Sequence, residues 1–118
     1  ELFDKIKVQN NIFNSIWILF PDPWPKKKHN KRRLINNSFF EKLKIFMKVN
    51  GDLNIVTDSK SYLREIFKII YNFRSSFYWQ NQTKSSWSCE LDEFQITKYY
   101  KKAIKYDRKP IYIRLKKL

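Results

Sequence analysis

The sequence predicts an α/β fold with parallel strands, and three observations predict it. Two short apolar runs, residues 16–20 and 53–56, are bounded by turn-forming residues and read as buried strands. After each run, apolar residues recur at helical spacing. These are Phe39, Phe40, Leu43, Phe46 and Met47, and then Tyr62, Leu63, Ile66, Phe67 and Ile70. Strand, helix, strand, helix in that order is the pattern of neighbouring parallel strands joined by crossover helices.

Taken in order, residues 1–8 place Leu2, Phe3 and Ile6 on one face, as the tail of a helix, and residues 9–14 form a polar loop. The first strand covers residues 15–20. It must end at Pro21-Asp22-Pro23-Trp24-Pro25, because proline fixes φ and offers no backbone donor to a sheet. A tract of six Lys/Arg and one His follows, from Lys26 to Arg33. Ser38 and Glu41 have the spacing of a capping box, with Lys42, Lys44 and Lys48 on the outer face of the helix they start. Asn50-Gly51 is expected to stop that helix, with glycine as its C-cap. The second strand ends at Thr57-Asp58, and Asp58 or Ser59 can cap the next helix. Phe77, Tyr78 and Trp79 suggest a strand, and residues 80–88 a polar loop. Thr97 starts a short basic helix, and residues 111–115 form a closing edge strand after Pro110. No internal repeat or second domain is visible, so residues 1–118 read as one domain or part of one.

Composition narrows the function. At 42% hydrophobic, with ten Phe, seven Tyr and four Trp, the chain is that of a folded protein. A formal net charge of +14 over 118 residues points to a polyanionic partner, with nucleic acid ahead of a membrane surface. One cysteine, Cys89, excludes an internal disulfide, and with one histidine it argues against structural zinc. No apolar run approaches membrane-spanning length, and a cytoplasmic protein without membrane or metal is expected. The single glycine, Gly51, cannot make the glycine-rich turn with which nucleotide-cofactor enzymes admit a ligand close to the backbone. With Glu1 rather than Met at its start, the chain reads as the second half of a cofactor-dependent enzyme.

The first strand thus delivers a carboxylate (Asp22), an indole (Trp24) and a cationic strip to one place, its C-terminal end. That is where open α/β sheets bind ligands. Asp58 falls at the same end of the neighbouring strand. Each residue also has a plainer role: Asp22 shapes a turn, Trp24 anchors a core, Asp58 caps a helix, and the basic run is a solvated loop. Their combination in one short stretch favours function.

The stretch FPDPWPKKKHNKRR, residues 20–33, resembles the signature of the bacterial tRNA (guanine-N7-)-methyltransferases, close to F-P-D-P-W-x-K-x-R-H-x-K-R-R. Lys28 stands where Arg is usual. The resemblance continues in order through Val49-Asn50-Gly51-Asp52, Thr57-Asp58 and Thr97-Lys98-Tyr99. It implies the C-terminal part of a class I S-adenosylmethionine-dependent methyltransferase sheet (Rossmann-like), with the N-terminal cofactor-binding strands missing. It further implies S-adenosyl-L-methionine as cofactor and tRNA as partner. Asp22 matches the family's catalytic and cofactor-contacting Asp. Lys26 and Asp58 match substrate-binding positions, and Lys28, His29, Asn30, Lys31, Arg32 and Arg33 match the RNA-contacting segment. Thr97, Lys98, Tyr99 and Tyr100 match the family's T-x-[YF]-E substrate segment, except that Tyr100 replaces its Glu.

The chemistry agrees with that reading. Guanine N7 carries a free lone pair, so its methylation needs no general base, only alignment and stabilisation of the cation formed on the ring. Trp24 or His29 offers a ring on which an extracted base can stack. Two other readings compete. An amino-methyltransferase of adenine or cytosine uses a D/N-P-P-Y/F/W loop, and Asp22-Pro23-Trp24 lacks the second proline. A non-catalytic basic RNA-binding module, or an inactive fragment, accommodates the missing glycine loop and Tyr100.

Overall fold

In a computed structural model, residues 12–87 and 109–118 are described. The expected helix tail at residues 1–8, Cys89, and the helix starting at Thr97 lie outside the described residues.

The described residues form an open four-stranded sheet with two helices packed on one face. The elements are β1 (Phe13–Leu19), α1 (Asn37–Phe46), β2 (Met47–Thr57), α2 (Lys60–Asn72), β3 (Phe77–Trp79) and β4 (Ile111–Lys117). The strand order is β1-β2-β4-β3. β1 runs parallel to β2, as the crossover pattern predicts, while β4 is antiparallel to both β2 and β3. The sheet is therefore mixed, and the expected closing edge strand is interior. β4 alternates buried and more exposed positions like any half-buried strand, and that alternation does not reveal which strands will flank it.

Alternation puts one apolar set on the helix-facing side. Ile16 lies beside Leu53 and Ile18 beside Ile55 on β1 and β2. Leu53 in turn opposes Leu115, and Ile55 opposes Ile113. Against them pack Phe39, Phe40 and Leu43 of α1 and Tyr62, Ile66 and Ile70 of α2. Phe40 is central, with ring centroids 5.4 Å from Phe73 and 5.3 Å from Phe77. Each such side chain contributes roughly 1.5–3 kcal/mol by leaving water. On the other face Trp17 stacks on Tyr112 at 5.9 Å, and the Tyr112 hydroxyl donates to buried Asn54 at 2.6 Å.

Three local expectations are corrected. β1 begins at Phe13, two residues into the expected loop, and releases Phe20 into the turn. The cap of α1 is Asn36, whose side-chain oxygen accepts from Phe39 N at 2.8 Å, so Ser38 lies inside the helix and no Ser38–Glu41 capping box forms. α1 ends at Phe46, and Asn50-Gly51 belongs to β2 rather than to a helix C-cap. Between the pairs Phe13–Met47 and Ser15–Asp52, β2 bulges by several residues, with Asn50 at φ 68°. A side chain at Gly51 would put Cβ 2.8 Å from Lys48 O and 3.0 Å from Asn14 O, so close backbone approach explains this glycine. Of the two caps the sequence offers for α2, Asp58 and Ser59, the structure uses Ser59, which accepts from Tyr62 N.

Candidate active site and nucleic-acid interface

β1 leaves the sheet abruptly. Phe20 N donates to Val56 O at 2.7 Å as the last rung, and Phe20 itself has φ 51°. Four residues on, Trp24 has φ 39°. Left-handed backbone is an outlier for bulky residues, and such outliers cluster where a surrounding structure holds a chain in a functional shape. Between the two lies Asp22, exposed, with one carboxylate oxygen accepting from Trp24 N at 3.2 Å. This is an Asx-type turn, and it leaves the rest of the carboxylate facing outward.

Residues 27–32 then wind into a single 3-10 stretch, Lys27–Arg32. The Asn30 amide, with its nitrogen facing inward, donates to Trp24 O at 2.9 Å and Lys26 O at 3.1 Å. Lys26, Lys27, Lys28, Lys31 and Arg32 are exposed, giving a strip of positive charge beside Asp22. Half-buried Trp24 holds the strip: His29 meets it edge-on at 5.7 Å, and the Arg32 guanidinium lies 5.2 Å from its ring centre. Within the loop, Trp24 therefore serves as a packing centre.

Arg33 has a different fate from its neighbours. It is buried, 4% exposed. Its Nε donates to Pro23 O at 2.7 Å and one terminal nitrogen donates to Ser61 Oγ at 3.3 Å. The guanidinium also sits 4.8 Å from the Tyr62 ring centre. Tyr62 in turn accepts a hydrogen bond from Ile35 N at 2.8 Å. Burial pushes the Tyr62 phenol up from its ordinary pKa. The Ile35 amide and the Arg33 charge pull it back, and the Asp22 charge adds to the rise. Arg33 and Tyr62 thus tie both ends of the motif loop to α2.

The two carboxylates fall where the parallel pairing dictates. Leu19 of β1 is in register with Val56 of β2, so Asp22 and half-buried Asp58 emerge from the same end of adjacent strands. The structure thus gathers Asp22, Lys26, Lys28, His29, Asn30, Lys31, Arg32 and Asp58 at that end, and turns Arg33 inward. Thr97, Lys98, Tyr99 and Tyr100 lie outside the described residues. Ser61 and Tyr62 were not anticipated as part of the site. The available signal was a tyrosine on a helix face otherwise made of pure hydrocarbon side chains, whose hydroxyl must find a partner once buried.

Gly51 lies by the N-terminal end of β1, away from Asp22, and makes no ligand cradle. No group of three or more His, Cys, Asp or Glu able to hold a metal occurs among the described residues. No helix among them is long and apolar enough to cross a membrane.

Residues 3–113 match the model of a family described as "Putative methyltransferase". The tRNA (guanine-N(7)-)-methyltransferase of Wolbachia pipientis wMel is 36% identical over 100 residues, 85% of this chain and 42% of that protein. The enzyme of the same name from Buchnera aphidicola is 32% identical over 111 residues, covering 94% and 45%. A bifunctional methyltransferase of Rickettsia felis is 38% identical over 104 residues, covering 88% and 19%. The chain spans about half the length, or less, of these curated relatives.

Proposed function

Since the chain belongs to the tRNA (guanine-N7-)-methyltransferase family, we propose that it is the substrate-facing, catalytic-loop half of such an enzyme, a partial methyltransferase domain that methylates N7 of a guanine in tRNA. The observation that carries this reading is Asp22. It stands exposed on a conformationally fixed turn at the open end of β1, beside Asp58 and under a cationic strip.

S-adenosyl-L-methionine supplies an electrophilic methyl group when bound. Asp22 faces the reacting purine, and its negative charge favours the positive charge that grows on the ring as N7 donates its lone pair. It also accepts hydrogen bonds from guanine N–H groups, which orients the base. Asp58 holds the base from the neighbouring strand. Lys26, Lys28, Lys31 and Arg32 neutralise backbone phosphates and set the register of the RNA, giving affinity that falls steeply with salt. Arg33 acts through the loop by holding Pro23, one residue from Asp22.

The test uses the full-length protein with tRNA and S-adenosylmethionine. Asp22→Asn is expected to lower single-turnover methyl transfer by about a hundredfold or more while tRNA affinity stays near parental. Parental turnover in that variant would overturn the catalytic assignment of Asp22, and binding of tRNA without any methyl transfer by the parent would leave a basic RNA-binding module as the reading.

A further inference from the structure

A cavity of about 230 Å³ opens between the motif loop and α2, lined by Lys27, Arg33, Ser61, Arg64, Glu65 and Lys68 among others. Four cations and one carboxylate leave a formal charge of +3 around it. Arg33 is already committed to Pro23 O and Ser61 Oγ. Lys27, Arg64 and Lys68 are not: they are exposed, and no ion pair engages them among the described residues. Arg64 and Lys68 are one helical turn apart, and a like-charged pair at that spacing disfavours an isolated helix. A repulsive pair aimed into a concave site is relieved when a polyanion enters it.

From this geometry we infer that the cleft between the motif loop and α2 is a binding site for an RNA backbone phosphate, with Arg64 and Lys68 of α2 as ligands alongside Lys27. The inference rests on the tRNA reading above and deepens it. No aromatic side chain lines the cavity, so it takes a phosphate rather than a base. Lys27 starts the Lys27–Arg32 stretch, which makes the cleft continuous with exposed Lys28, Lys31 and Arg32. The RNA therefore follows one track from the strip onto the flank of α2. Glu65, the carboxylate in the lining of the cleft, sets a limit on that track by repelling a phosphate.

The experiment measures tRNA binding to the full-length protein by fluorescence anisotropy across a salt series. In the double variant R64Q/K68Q, the slope of log K against log salt is expected to shrink by about 1–2, with roughly tenfold weaker binding at low salt. E65Q is expected to bind more tightly than the parent. A matched loss of charge at the opposite end of the sheet, K48Q/K117Q, is expected to leave the slope at the parental value. A parental slope in R64Q/K68Q, or the same drop in the control pair, overturns the phosphate site while the tRNA reading stands. A parent protein whose affinity for tRNA does not depend on salt overturns both.

Discussion

The parallel pair β1–β2 meets left-handed backbone at both of its ends, and the two ends handle it differently. At the lower end the residue is Asn50, with φ 68°, followed by Gly51. Asparagine tolerates that conformation, and glycine removes the side chain that would strike Lys48 O and Asn14 O. Residue type fits geometry there. At the upper end Phe20 and Trp24 adopt φ 51° and 39°, where aromatic residues are rarely found. The strain is borne because Arg33, Tyr62 and the Phe20–Val56 hydrogen bond hold the chain from outside. A relaxed corner serves the fold, and the braced corner carries Asp22.

The largest expected effect removes the upper brace. Arg33→Ala strands Pro23 O and empties the space over Tyr62, and is expected to cost about 2–4 kcal/mol in urea unfolding. Its neighbour Arg32→Ala, losing an exposed contact with Trp24, is expected to cost under about 1 kcal/mol. Equal losses in the two variants would break the comparison. At the lower end Gly51→Ala forces backbone apart, and about 1–3 kcal/mol of destabilisation is expected from the same measurement. A silent Gly51→Ala would show that this corner is not closely packed.

A smaller effect than that of Arg33 sharpens the upper end by pH. The folded state holds the Tyr62 proton more tightly than the unfolded chain does, because burial disfavours the phenolate. Tyr62 therefore contributes stability that is complete below the unfolded tyrosine pKa of about 10 and is lost as pH rises through its higher folded value. Tyr62→Phe is expected to cost about 1 kcal/mol at neutral pH, through the stranded Ile35 N–H, and to flatten the alkaline loss. Parallel alkaline stability curves for parent and variant would show that Tyr62 does not titrate as part of the brace.

Local pattern made much of this visible beforehand. The apolar runs located β1 and β2, their crossover order made them parallel neighbours, and the prolines placed Asp22 at the strand end. Competition among similar residues hid the rest. Asn36, Asn37 and Ser38 are all good helix caps, and only the fold selects Asn36. Asn50-Gly51 has the chemistry of a helix stop, yet pairing with β1 draws it into β2. Arg33 closes a run of like cations, and nothing within that run marks the member that turns inward. The cleft with Arg64 and Lys68 is assembled from segments 28 or more residues apart, beyond any local signal.

The interior position of β4 has a consequence for how the molecule is made. β2 and β3 each pair with a strand that is synthesised after both of them. Until Ile111–Lys117 leaves the ribosome, Leu53 and Ile55 have no neighbour on that side, and β3 has no partner in this sheet. Loop closure over that distance must precede any gain from the pairing, so the arrival of β4 sets the pace at which these strands pair. A nascent chain halted before β4 would present an unpaired β2 edge to other chains, an aggregation hazard that lasts until β4 pairs.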